Sequence, residues 1–202
     1  MKRKNLTSLL IAAGLFIVIG TASAQIKPRE NIQWGFNLGF NSASMDLFAK
    51  RAILEFYGGL SAEIFLVRGL ALCSGLAYSR KGGDGSLPSW GMLTVVTPIQ
   101  LRVQYLELPL LIKFSPVRSL YLEGGVYGAV KVGGRLTVRG TQDASGLING
   151  TDTGYVLGIG GEMKLLGRRQ YTGLRYSHGL SKVLSNGNNH LVTITYLLGV
   201  YF

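Results

Sequence analysis

Three kinds of side chain in this sequence could carry chemistry: two histidines, His178 and His190, one cysteine, Cys73, and a thin set of acids placed singly among apolar residues. A hydrolase would need a serine, a histidine and an acid in mutual reach. His178 has Ser177 beside it and Ser181 three residues on, but neighbours on a strand point to opposite faces. Cys73 has no second cysteine to bridge and reads as a small interior residue. No His, Cys, Asp or Glu spacing suits a metal ion, so neither metal nor cofactor nor enzymatic activity is expected. The acids are more informative. Glu63, Glu107, Glu123 and Glu162 each lie inside an alternating stretch, as do Lys81, Lys113, Lys131, Lys164 and Arg175. A charge in such a place either meets water or is buried against an opposite charge, and the elements that carry it decide which.

The composition narrows those elements. The chain has 202 residues, enough for one domain, with 47% hydrophobic and only 15% charged residues, where soluble domains carry about 25% charged. It is too apolar for disorder, and its 29 glycines follow no triplet period. Lys2-Arg3-Lys4, the apolar run Leu9–Gly20 and Ala22-Ser23-Ala24 form a signal-peptide pattern, with cleavage expected after Ala24. That run is short of the ~20 residues of a membrane-spanning helix. Residues 25–31 then form a short periplasmic segment, and 32–202 the domain proper. Without Lys2, Arg3 and Lys4 the basic side chains number 18 against 10 acids. In an exported protein this surplus points to an envelope surface rather than to nucleic acid, for which no recognition motif is present.

From Ile32 onward the chain alternates. Trp34, Phe36, Leu38 and Phe40 fall on one parity, and Gly35, Asn37, Gly39 and Asn41 on the other, which is a strand with two unlike faces. The pattern returns over Glu55–Leu66, Leu70–Lys81, Tyr105–Phe114, Leu120–Val132, Tyr155–Leu165, Tyr171–Leu180 and Leu191–Phe202, giving eight strands. Ile99, Leu101 and Val103 break the phase, and a bulge or an extension above the membrane is expected there. Short connections (Val67–Gly69, Ser115–Ser119, Gly167–Gln170) alternate with longer polar ones (Ser42–Leu54, Gly82–Pro98, Gly133–Thr151, Ser181–Asn189). Even strand number with short turns at one end and long loops at the other describes an outer-membrane barrel. The fold expected is all-β, an eight-stranded antiparallel up-and-down transmembrane β-barrel. A soluble barrel or sandwich would carry more Lys and Glu on its water face than the Gly, Ala and Ser seen here. Trp34, Phe114 and Phe202 at the turn end, with Phe40, Phe56, Tyr78 and Tyr155 towards the loop end, would make two interfacial belts.

Parity then assigns the charges. Glu63, Glu107, Glu123, Glu162, Lys81, Lys113, Lys131, Lys164 and Arg175 face a lumen just wide enough to be filled by side chains. Glu107, Glu123 and Glu162 are expected to form a network with Lys113 and Arg175 that plugs the barrel. Arg68, Arg118, Arg168 and Arg169 are expected at the periplasmic end. Arg80, Arg135 and Arg139 belong near the external loops, beside lipopolysaccharide phosphates. Leu87, Trp90, Met92 and Leu93 make the second long loop more apolar than water requires, and suit it to an interaction.

Tyr105-Leu106-Glu107-Leu108-Pro109-Leu110-Leu111-Ile112-Lys113-Phe114 resembles a "YLEIPLLLKY" strand of the PorT-like outer-membrane β-barrel family common in Bacteroidetes. Gly75–Gly82 is similar to the strand before it, and Leu174–Leu180 to the penultimate strand. The resemblance covers roughly Trp34 to Phe202. It implies an outer-membrane barrel, some of whose relatives serve secretion; the function expected is a structural or interaction role in the cell envelope, accessory to secretion. It also places the family's Glu and Arg positions at Glu107 and Arg175. The terminal Phe202 resembles the signal read by the outer-membrane assembly machinery. A small-solute pore and, more distantly, a lipid-modifying enzyme are the competing functions.

Overall fold

The structure, a computed structural model, describes residues 32–45, 49–87, 97–117, 119–138, 141–142, 149–181 and 190–202. The strands are β1 (Ile32–Met45), β2 (Ala49–Val67), β3 (Leu70–Leu87), β4 (Thr97–Val117), β5 (Leu120–Val138), the two-residue β6 (Thr141–Gln142), β7 (Thr151–Leu165), β8 (Arg168–Gly179) and β9 (Leu191–Tyr201). The eight long strands pair antiparallel in the order β4-β3-β2-β1-β9-β8-β7-β5, and β4 pairs with β5 to close the ring. β6 only folds back on the end of β5. Closure gives each of the eight long strands a hydrogen-bonded neighbour on both sides, the condition for a sheet to span a bilayer.

Alternation is why the ring closes with its apolar face outward. Trp34, Phe36, Leu38 and Phe40 on β1 are exposed, while Gly35, Asn37, Gly39 and Asn41 between them are buried. The same holds on β4, where Leu108, Leu110, Ile112 and Phe114 are exposed and Glu107, Pro109, Leu111 and Lys113 are buried. Exposed apolar residues all round a closed wall are a lipid-facing surface. Phe202, 63% exposed, is tied in by its N–H, which donates to the Trp34 carbonyl at 2.9 Å.

The wall is uneven in height. β2 to β5 have 19, 18, 21 and 19 residues, whereas β7, β8, β9 and β1 have 15, 12, 11 and 14. This corrects three of the long-loop boundaries. Gly82–Leu87 and Thr97–Pro98 are strand, paired from Gly82↔Arg102 up to Leu87↔Thr97, β5 runs on to Val138, and β1 and β2 take most of 42–54. Glycine and aspartate at 82–85 masked the period of two. The last turn is also shorter than expected. It consists of Leu166 and Gly167, both at positive φ (52° and 79°), and β8 resumes at Arg168. Two central residues of positive φ suit the right-handed twist of a tight hairpin.

The bulge expected near 99–104 is present at Gln104/Tyr105, with its extra residue on the neighbouring strand. Leu101 and Val103 are 1% exposed and point inward with Tyr105 and Glu107, so β4 keeps its parity. The slip is on β5, where Gln104 pairs with Gly133 and Tyr105 with Lys131, leaving Val132 as the extra residue. One further irregularity sits mid-wall. The β3–β4 register runs to Ser74↔Leu110 and resumes at Ala77↔Glu107, skipping Gly75 and Leu76 opposite Leu108 and Pro109. Proline brings no N–H to a ladder. The Ser74 hydroxyl donates instead to the Pro109 carbonyl at 3.0 Å.

Candidate functional site: the filled lumen

Each inward position is set by a strand, and the lumen is built in three tiers. The tier at the turn end draws on four strands. Lys113 on β4 reaches Glu63 on β2 at 3.4 Å and also bonds Glu162 on β7. Arg169 on β8 bonds Glu63 and lies 3.5 Å from Glu162. Two acids and two bases thus form a neutral ring across the barrel, with Glu63 and Lys113 each only 2% exposed. Tyrosine faces complete it. The Lys113 ammonium stands 4.4 Å from the Tyr121 ring centre, and the Arg169 guanidinium 4.2 Å from that of Tyr201. Tyr171 stacks on Tyr201 at 5.0 Å. A cation over an aromatic face gains electrostatically where water is excluded.

The middle tier is Arg175 and Glu123. Nε to Oε1 measures 2.5 Å and Nη2 to Oε2 3.1 Å, a two-pronged pairing that only arginine can make with a carboxylate. Gly158 lies between them in the register, and a Cβ there would sit 2.6 Å from Glu123 Oε1. Gly160 and Gly173 make the same kind of room for the Tyr121 hydroxyl, and Gly199 for the Tyr171 ring. A cavity of about 20 Å³, lined by Asn37, Tyr57, Ser61, Cys73, Tyr121 and Arg175 among others, lies in this part of the lumen.

At the loop end Lys81 stands against two acids. Lys81 on β3 pairs with Glu107 at 2.9 Å and Asp152 at 3.7 Å, and the Tyr127 hydroxyl donates to Asp152 Oδ2 at 2.9 Å. The Lys81 ammonium is 4.5 Å from the Tyr127 ring centre. Leu101, Val103, Tyr105, Val156 and Leu191 pack together in the same half of the lumen as a buried apolar cluster. Nearby, Asn41 is fully used. It donates to Ser79 Oγ and the Arg80 carbonyl, both at 2.9 Å, and accepts from Thr195 at 2.7 Å.

The sequence-derived residues are therefore placed as follows. Glu63, Glu107, Glu123, Glu162, Lys113 and Arg175 face the lumen, and Lys113–Glu162 and Glu123–Arg175 pair as expected. Glu107 does not join them. It lies six residues from Lys113 on β4, roughly 20 Å at strand rise, and pairs with Lys81 instead. Lys131 is half-buried on β5 opposite Tyr105. Lys164, opposite Arg169, is exposed at the turn-end rim. Arg169 lies at the periplasmic end as expected but points inside, because β8 resumes at Arg168. Asp152 lies between the expected loop, Gly133–Thr151, and the strand expected from Tyr155, and belongs to β7, which begins at Thr151. Its parity with Val156 on β7 is the signal that could have found both the strand and the acid. Leu87 belongs to β3, and Trp90, Met92 and Leu93 lie outside the described residues. His178 is on the outer face, stacked on Tyr155 at 5.3 Å and on His190 at 6.0 Å, while Ser177 is buried inside. Ser181 Oγ serves the Thr153 N–H at 3.1 Å.

A closed barrel with an apolar band outside and ion pairs buried in its lumen is built as a membrane protein, and comparison agrees. Residues 23–185 match the family model described as the outer membrane protein beta-barrel domain. The chain belongs to this family. It is thus a small barrel of the bacterial outer membrane, with all-β, eight-stranded antiparallel architecture. Similar solved structures include Ail, the attachment invasion locus protein of Yersinia pestis, at 11% identity over 85% of this chain and 97% of that one, with a TM-score of 0.48. Neisserial surface protein A (NspA) gives 16% identity, 86% and 98% coverage and a TM-score of 0.44. AlkL, an outer membrane protein solved in lipid bilayers, gives 13% identity, 91% and 96% coverage and a TM-score of 0.44. No curated protein sequence matches the chain significantly. In this family member the short turns at Arg68–Gly69 and Leu166–Gly167 mark the periplasmic end by the usual asymmetry of such barrels.

Proposed function

We propose that this barrel is a structural or interaction component of the cell envelope whose lumen is closed to solutes. The observation that carries the reading is the stack of paired ions and tyrosines, from Lys113 and Arg169 through Arg175 to Lys81, beside a cavity of only about 20 Å³. That volume suits about one water molecule. Conduction would require the buried pairs to part, and removing one partner from such a pair costs about 3–5 kcal/mol. Purified protein in a planar bilayer is expected to give no steady openings. Large, steady single-channel currents would overturn the reading in favour of a pore.

The finer reading places the protein among PorT-like barrels of the Bacteroidetes type, as an accessory to a secretion or envelope complex without enzymatic activity. The chain is exported on residues 1–24 and cut after Ala24. The assembly machinery reads Phe202 at the end of β9. Outer-membrane lipids and lipopolysaccharide are its constant neighbours. Support comes from the Tyr105–Phe114 strand, the exposed terminal Phe202 and the engaged state of Ser181, whose hydroxyl is already held by Thr153. Crosslinking in native membranes followed by identification of the captured chains tests the complex. Recovery of the barrel alone would count against it.

A further inference from the structure

The outer surface of β3, β4 and β5 changes character over a single rung. Tyr78 on β3, Leu106 on β4 and Val132 on β5 end the apolar lipid-facing rows. The next rung in register is Arg80, Gln104 and Gly133, and the second above it is Gly82, Arg102 and Arg135. From Leu120 to Arg135 is fifteen residues along a strand tilted about 40°, a rise of roughly 38 Å against an apolar band of about 25 Å. The arginines therefore lie at or just above the outer-leaflet headgroups.

One feature of this patch lacks an internal explanation. Arg102 and Arg135 are directly opposed across β4 and β5, and like charges so placed repel. The local acids do not balance them. Glu55 Oε1 takes Arg102 Nε at 3.0 Å and its Oε2 takes Arg80 at 3.3 Å, while Asp84 takes Arg102 Nη1 at 3.1 Å. Among the described residues Arg135 has no ion-pair partner, and it is exposed. The two rungs are also notched. Gly82 and Gly133 carry no side chain beside Arg102 and Gln104; a Cβ at 82 would strike the Leu101 carbonyl oxygen at 2.3 Å, and one at 133 would meet Gln104 Oε1 at 2.9 Å.

We infer that this outer face of β3–β5 is a binding site for the phosphate of an outer-leaflet glycolipid of the lipid A type, with Arg102 and Arg135 as the direct contacts and Arg80 and Gln104 at its border. A phosphate bridging Arg102 and Arg135 turns the repulsive pair into a two-pronged anion clamp. Gln104 supplies a donor for a sugar or phosphate oxygen, and the acyl chains run down over Tyr78, Leu106 and Val132. This deepens the lipopolysaccharide contact proposed above and rests on it, but it is independent of whether the lumen conducts.

The test uses the full mature barrel in detergent, with native mass spectrometry to read lipid retention. The probes are bis-phosphorylated lipid A, dephosphorylated lipid A, phosphatidylglycerol and inorganic phosphate. Bis-phosphorylated lipid A should be held at least about tenfold more tightly than either other lipid. Arg135→Gln should weaken that retention about fivefold, and Arg102→Gln/Arg135→Gln further. Arg168→Gln, at the opposite end of the barrel, should leave it unchanged. Because Arg135 supports no other described residue, its variant keeps the test valid even if Arg102→Gln unsettles the wall; heat-modifiable gel migration checks folding. Equal retention of dephosphorylated lipid A, or of Arg135→Gln and the parent, overturns the site. Equal retention of phosphatidylglycerol reduces it to general charge attraction and overturns it too. Displacement of the lipid by inorganic phosphate alone would make it a free-phosphate site and overturn the glycolipid assignment.

Discussion

The two ends of the lumen solve the burial of charge differently. At the periplasmic end Glu63, Glu162, Lys113 and Arg169 balance one another, each acid touching both bases. At the outer end the Lys81 ammonium serves both Glu107 and Asp152, and a phenol, Tyr127, adds a hydrogen bond to Asp152. The first arrangement ties four strands together across the barrel, and loss of any one member strands an opposite charge. The second is looser, because neutral hydrogen bonding already carries part of it. Charge number alone is thus a poor guide to how much a buried cluster stabilises; what matters is how many partners each group leaves behind when removed.

The contrast can be broken in order of expected effect, reading the denaturant midpoint of protein folded in lipid vesicles. Lys113→Met leaves Glu63 and Glu162 sharing Arg169 alone, and should cost about 3–5 kcal/mol. Arg175→Met strands Glu123 and should cost about 3 kcal/mol, most of it recovered in Glu123→Gln/Arg175→Met because no charge is then left unpaired. Gly158→Ala presses on the Glu123 carboxylate and should cost about 1–3 kcal/mol by overpacking. Asp152→Asn should cost about 1 kcal/mol or less, since Lys81 keeps Glu107 and the Tyr127 hydroxyl keeps an acceptor. A loss for Asp152→Asn as large as that for Lys113→Met would remove the distinction between the two ends.

Much of this was legible from alternation. Strand number, the outward face and the inward parity of Glu63, Glu107, Glu123, Glu162, Lys113 and Arg175 follow from a period of two, because in a barrel that period leaves only two faces to choose from. The misjudged residues share a physical cause. Arg169 and Asp152 lie where a strand begins, and strand ends are set by hydrogen bonding to the neighbour rather than by side-chain type. Leu101 and Val103 were misread because an apolar inward residue looks, by hydropathy, like an outward one. Only the fixed phase of Tyr105 and Glu107 along β4 tells them apart. The division into three tiers was not legible at all. It depends on the stagger between strands, which sets Glu123 level with Arg175 and Glu107 level with Lys81.

The skipped rung between β3 and β4 at Pro109 has a consequence for how this ring bears load. A cask is held by its hoops, and here every hoop is a circuit of backbone hydrogen bonds. The circuit through Gly75, Leu76, Leu108 and Pro109 is interrupted, mended only by a serine hydroxyl. Lateral pressure from the bilayer falls on all circuits alike, so the stave joint between β3 and β4, like the shifted stretch between Ala52 and Tyr57 on the β2–β3 side, meets it with less resistance. Arg80 and Arg102, which flank that joint and share Glu55 above it, act as a clasp on its outer end.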